Sequence, residues 1–188
     1  MSGKIQFKKY KNALSIVSKV FAISPLSIRY FLWDCSSISS SKLAVGLRYS
    51  LLKSMSDNVG DNVYIGKYVT IKNFHNIQIG NNVSIHDCCY IDGAGELTIG
   101  NNVSIAHHCS ILTVNHQWND SEKPIKYNSE VFKPVVIHDD TWLGCGVRVL
   151  AGVTIASRSI LAAGSIVNKN VEPNSIYGGV PAKLIKNL

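Results

Sequence analysis

His116 stands in the string T-V-N-H-Q-W-N-D, at the point where a regular six-residue pattern in the chain breaks off. A histidine on a loop held by a rigid scaffold is a candidate general base, because a neutral imidazole takes up a proton readily near pH 7. The other histidines read differently. His107 and His108 fall at corner positions of the pattern and read as solvent-exposed, as do His75, His86 and His138. Of five cysteines, none belongs to a C-x-x-C pair. Cys88, Cys89, Cys109 and Cys145 all lie inside the repeat, where small, mostly buried residues are wanted, and a free thiol packs as a small hydrophobe. Core filling is favoured over a metal or redox role, and a disulfide framework is not expected.

The pattern that must position these residues is clearest over 137–167. An aliphatic residue returns every sixth position, at Ile137, Leu143, Val149, Ile155, Leu161 and Val167. Four residues after each comes a small or β-branched one, from Thr141 and Val147 to Ser165 and Val171. A period of six fits neither a 3.6-residue helix nor a simple alternating strand, and is a signature of parallel β-helices. The repeat extends towards the N-terminus as Val59, Ile65 and Ile71, then Ile79, Ile85 and Ile91, then Ile99, Ile105 and Ile111. Steps are six within a set and eight between sets, so a coil takes twenty residues and Val59, Ile79 and Ile99 stack. The step of 26 from Ile111 to Ile137 locates a long inserted loop at about 115–134. Asn and Gly crowd the turns, as in Gly80-Asn81-Asn82, because they tolerate left-handed backbone angles.

The 188 residues therefore divide into a segment at 1–57, a β-helix at 58–172 and a tail at 173–188, with Pro173, Gly178, Gly179 and Pro181 marking an irregular exit. Apolar spacing over 7–22 predicts a helix that Pro25 ends, a second short helix over 26–34, and a third at about 41–55 after a serine run. No run approaches the roughly 18 apolar residues of a membrane span, and no signal peptide is expected, so the chain reads as cytoplasmic. The net charge of +7 is uneven: residues 1–55 hold nine Lys/Arg against the single acid Asp34. The helices read first as a cover for the open end of the coil, whose edge needs protection. The second reading is a peripheral contact with an anionic membrane at its inner face. Nucleic-acid binding has charge in its favour but no motif.

The strings I-L-T-V-N-H, K-P-V-V-I-H-D-D-T-W-L-G, L-A-A-G-S-I-V-N-K and G-G-V-P-A-K together resemble the hexapeptide-repeat acyltransferases of the galactoside and maltose O-acetyltransferase type. The V-N-H-Q-W form and the divergent N-terminus look more like relatives that acetylate capsule, exopolysaccharide or O-antigen sugars. The resemblance implies an all-β fold, a left-handed parallel β-helix with an α-helical N-terminal segment and a long inserted loop. That handedness runs against the usual right-handed crossover. It further implies a homotrimer, acetyl-CoA as co-substrate, no metal, and a sugar or polysaccharide acceptor.

By the same resemblance His116 is the base and the backbone N–H of Cys145 the oxyanion donor, while the Cys145 thiol departs from the family's small residue there. Trp142, Gly144 and Ala163 would line the coenzyme's pantetheine arm, and Lys169, Lys183 and Lys186 would meet its phosphates, where positive charge is needed. Asp92, Asn115 and Glu130 would face the acceptor sugar or, for Glu130, orient His116. A nucleotide-sugar N-acetyltransferase is the nearest alternative. A γ-class carbonic anhydrase requires two histidines five residues apart, a spacing lacking here, and a non-catalytic scaffold would leave His116 and the lysines unexplained.

Overall fold

The computed structural model of the protein describes residues 3–56 and 58–188. Two five-stranded sheets and one seven-stranded sheet form the three faces of a triangular parallel β-solenoid. The six-residue period makes this shape, since each short strand sends one aliphatic side chain to the axis and the next residues turn the corner. Val59, Ile79, Ile99, Ile137 and Ile155 stack through the first sheet. Ile65, Ile85, Ile105, Leu143 and Leu161 stack through the second, and Ile71, Ile91, Ile111, Val149 and Val167 through the third. All are buried. Each side chain of this size stabilises by about 1.5–3 kcal/mol when removed from water, so the column is the main source of cohesion.

Corners follow the same logic. Between the first and second sheets the left-handed positions are Asn62, Asn82, Asn102, Asp140 and Arg158, with φ of 56–58°. Here the stacked turns are tied by side chains: the N–H groups of Asp61, Asn81 and Asn101 donate to Asn81, Asn101 and Asp139 in the coil above, at 2.7–2.8 Å. Hydrogen bonds from Asn101 hold the Asp139 carboxyl below the usual carboxylate range.

Helices α1 (Gly3–Ile23), α2 (Leu26–Ser36) and α3 (Lys42–Met55) cover the first coil. Ser41 caps α3 by accepting from the Ala44 N–H. The cover also answers the coil's free carbonyls. Trp33 Nε1 donates to Val69 O, Tyr49 Oη to Gly60 O and Arg48 Nε to Ile65 O. Arg48 is fully buried, further donates to Ser36 O and Ser39 O, and has its pKa lowered by desolvation. At the other end the expected irregular exit is corrected. Ser175–Gly178 joins the second sheet and Lys183–Asn187 pairs antiparallel with it, so the tail forms a hairpin closing that sheet's edge. The turn uses Gly179 at φ 98°, and Ile176 and Tyr177 supply a strand that lies outside the six-residue pattern.

Candidate active site

The loop carrying His116 is a built structure. Val114–His116 pairs antiparallel with Glu130–Phe132, placing Asn115 opposite Val131 and His116 opposite Glu130. At its base Lys133 N–H donates to Thr113 O. The buried Thr113 hydroxyl donates to Asp92 O at 2.8 Å and accepts from Gly95 N–H at 2.7 Å. Its tip is wound around buried Asn128, whose amide donates to the carbonyls of Asp120, Lys123 and Pro124. Sequence reasoning missed both Thr113 and Asn128. Thr113 carried a usable signal as a polar residue just before the insertion, whereas a lone loop asparagine reads as a turn former.

His116 Nε2 lies 3.8 Å from Glu130 Oε1, with both side chains about half exposed. That separation exceeds a hydrogen bond, so the two side chains are linked by proximity of charge and by their facing strands alone. Asp92 ends a strand one coil below Leu112, beneath the loop. It is buried, and its Oδ1 accepts from Asn73 Nδ2 and Ala94 N–H, which commits that oxygen to the turn.

A second group gathers at the corner between the second and third sheets. Cys145 and Ala163 stack there, because Leu143 pairs with Leu161 just before them. Among the described residues, neither the Cys145 N–H nor the Ala163 N–H has a protein acceptor. At the first corner Asn and Asp side chains close the equivalent groups of Asp61, Asn81 and Asn101, whereas among the described residues the Asp139 and Ser157 N–H groups, level with Cys145 and Ala163, also have no protein acceptor. The coils below also leave the corner amides of Asp87 and His107 unpaired, but there the surrounding side chains are His86, Cys88 and His108, with Cys88 and His108 themselves at φ 61° and 60°. Around Cys145 and Ala163 the neighbours are Gly144, Gly146, Ala162 and Gly164, with both outer glycines at positive φ. A Cβ on Gly144 would come within 2.7 Å of Ala163 N. Backbone donors are thus presented at a corner lined by Gly and Ala, with the exposed Arg148 guanidinium beside it donating to Gly146 O and His108 O, an arrangement open to an oxyanion or amide ligand.

Trp142 projects from the second sheet between Ser104 and Ile160, half exposed. Lys183 and Lys186 are exposed on the tail hairpin at that sheet's edge. Lys169, also exposed, falls instead at the corner after the third sheet, on the same side as the loop. The candidate residues therefore fall into two groups at opposite edges of the third sheet. His116, Asn115, Glu130, Asp92 and Lys169 lie at one; Cys145, Gly144, Ala163, Trp142, Lys183 and Lys186 at the other. His75, His86, His107, His108 and His138 are exposed. Among the described residues no group of three or more His, Cys, Asp or Glu is arranged to hold a metal ion. Cys89 and Cys109 are buried, their thiols donating to the carbonyls of Ala106 and Gly144. The neighbouring Cys109 and burial push the Cys89 thiol up.

This architecture has known relatives. Residues 134–169 match the model of the bacterial transferase hexapeptide (six repeats) family. Over 142 residues the chain is 33% identical to the galactoside O-acetyltransferase of Escherichia coli K12, an alignment covering 75% of this chain and 68% of that enzyme. It superposes on a hexapeptide-repeat-containing acetyltransferase from Vibrio cholerae solved with acetyl coenzyme A, with a TM-score of 0.74 and 25% identity over 94% of this chain and 88% of that one. A galactoside acetyltransferase solved with coenzyme A gives a TM-score of 0.69 and 28% identity, covering 85% and 78% of the two chains. The chain belongs to the hexapeptide-repeat acetyltransferases, and its solenoid is a left-handed parallel β-helix.

Proposed function

We propose that this protein transfers the acetyl group of acetyl-CoA to a hydroxyl of a sugar, working as a homotrimer. The observation that carries the reading is the separation of the two groups, each complete in what it offers and useless alone. In a closed ring of three, the contact is heterologous, so one corner of each copy meets a different corner of the next. That contact brings the His116 loop of one prism against the Cys145–Ala163 corner of its neighbour. Exposed Trp118, Tyr127 and Phe132 on the loop give it apolar surface to bury there.

Chemically, the imidazole nitrogen turned away from Glu130 takes the proton of the acceptor hydroxyl as its oxygen attacks the thioester carbonyl. The Cys145 N–H donates to the oxygen on which negative charge develops. Collapse breaks the C–S bond, and the departing thiolate receives the proton from His116. Positioned acid–base transfer of this kind contributes about 10²–10⁴-fold. Ala163 N–H and Trp142 line the pantetheine arm, Lys183, Lys186 and Lys169 meet the phosphates, and Asn115 and Asp92 border the acceptor. The galactoside and coenzyme A named for the relatives support sugar and donor. The V-N-H-Q-W segment and the helical N-terminus favour an acceptor from bacterial surface polysaccharide, acetylated in the cytoplasm where acetyl-CoA is made.

The test is release of coenzyme A from acetyl-CoA with a panel of free sugars, nucleotide sugars and polysaccharide repeats, together with the mass of the assembly in solution. Turnover with hydroxyl acceptors and a trimeric mass are expected. Turnover with amino sugars alone would replace the reading with N-acetyl transfer.

A further inference from the structure

We infer that the outer face of the N-terminal helices docks on an anionic lipid bilayer, holding the enzyme flat against the membrane surface. Phe7, Leu14 and Phe21 of α1 turn inward onto the core. On the opposite side of the same helix, Ile5, Ile16, Val20 and Ile23 project outward, 58%, 64%, 61% and 87% exposed. Leu26 and Phe31 of α2 add further exposed apolar surface, at 47% and 66%. A helix that covers a core needs one apolar side; α1 has a second, with nothing of its own chain upon it.

Lysines flank that second side. Lys4, Lys8, Lys9 and Lys19 are all exposed, and among the described residues Lys11 is the one lysine of α1 with an acidic partner, Asp61. Apolar residues that enter the headgroup layer, beside lysines that meet lipid phosphates, are the composition of an interfacial helix. Among the described residues no helix is long and apolar enough to cross a membrane, so α1 would lie on the bilayer. Charge also separates this occupant from a second copy of the chain. Residues 1–55 hold nine Lys/Arg against one acid, so pairing two such faces sets like charge on like, whereas an anionic surface neutralises it. Threefold symmetry would repeat the patch with the same sense along the axis, letting three faces engage together.

The experiment is co-sedimentation of the full chain with vesicles of pure phosphatidylcholine and of phosphatidylcholine with phosphatidylglycerol, at low and high salt. Deleting the helices would strip the cover from the first coil, so point variants are used. The wild type should pellet at least about tenfold better with the anionic vesicles, and K8E/K9E/K19E should lose that advantage. I16S/I23S should bind less at every salt concentration while keeping the wild-type melting temperature and mass. Equal pelleting with both vesicle types, or unchanged binding by the charge-reversed variant, would overturn the inference. So would a change of oligomeric mass in I16S/I23S, which would assign the stripe to a contact between copies. Coenzyme A release from acetyl-CoA with a soluble acceptor reads the active site separately from all of these.

Discussion

His116 and Glu130 face one another across the antiparallel ladder of the inserted loop, with Nε2 and Oε1 3.8 Å apart. The distance and the half exposure of both side chains set the scale of what Glu130 can do. An exposed pair of this kind is worth about 0.2–1 kcal/mol. E130Q should therefore lower kcat by about two- to fivefold with KM for acetyl-CoA unchanged, and the deficit should shrink in 1 M salt as screening weakens the wild-type pair. Steady-state kinetics at two ionic strengths checks this. A hundredfold loss would mean that Glu130 contacts the reacting groups directly.

Cys145 is assigned through its backbone, so its sulfur should be dispensable. C145A should keep kcat within about twofold of wild type, since the N–H and the surrounding small residues persist. Alkylating the half-buried Cys145 thiol with a bulky maleimide should abolish activity by blocking the path that Gly144 and Gly164 leave open, and acetyl-CoA should protect against it. A tenfold or greater loss in C145A would give the thiol a chemical part.

Arg48 joins the helical cover to the first coil by donating to three carbonyls from a fully buried position. R48M keeps the volume but orphans Ile65 O and Ser39 O, Ser36 O keeping the Ser39 N–H, and unmet buried acceptors cost about 1–3 kcal/mol each. Chemical denaturation should show a loss on the order of 3 kcal/mol or more. A loss well under 1 kcal/mol would show that the cover is held by apolar packing alone.

The first corner offers a pH-dependent comparison. Asp139 accepts from Asn101 N–H at 2.7 Å, as Asn101 does from Asn81 one coil below. D139N should be tolerated, and D139A should cost about 1 kcal/mol, the usual net value of a hydrogen bond. Because the folded-state pKa of Asp139 is depressed, its ionised form stabilises above the unfolded carboxyl value of about 3.9 and that contribution is lost as pH falls through the folded value. The gap between wild type and D139N should accordingly drift towards D139N between about pH 5 and pH 2, read as melting temperatures. A gap constant over that range would contradict the assignment.

Much of this was legible in the residues, because a β-helix writes its geometry as a period. Steps of six and eight gave the register of Val59 on Ile79 on Ile99, and a step of 26 placed the insertion that bears His116. The tail hairpin was hidden because Ile176 and Tyr177 form a strand outside the hexads, separated from Leu184 and Ile185 by turn residues. The open amides of Cys145 and Ala163 were harder still. Whether a corner N–H is free depends on a side chain a full coil away, so the run of Gly and Ala around Cys145 and Ala163, against Asp87 closing the Lys67 N–H lower at the same corner, becomes meaningful only once the coils are stacked. The exposed second stripe of α1 was likewise undecided until Phe7, Leu14 and Phe21 were seen to take the inward side.

The central claim is that an imidazole on the loop of one copy serves a thioester held at the Cys145–Ala163 corner of the next. It is tested most directly by comparing H116A with wild type in turnover and in calorimetric binding of coenzyme A. Turnover should fall at least about 10²-fold while the dissociation constant stays within about twofold, since the imidazole is assigned to the proton of the acceptor hydroxyl and the coenzyme is held by other groups. Turnover equal to wild type would contradict the account.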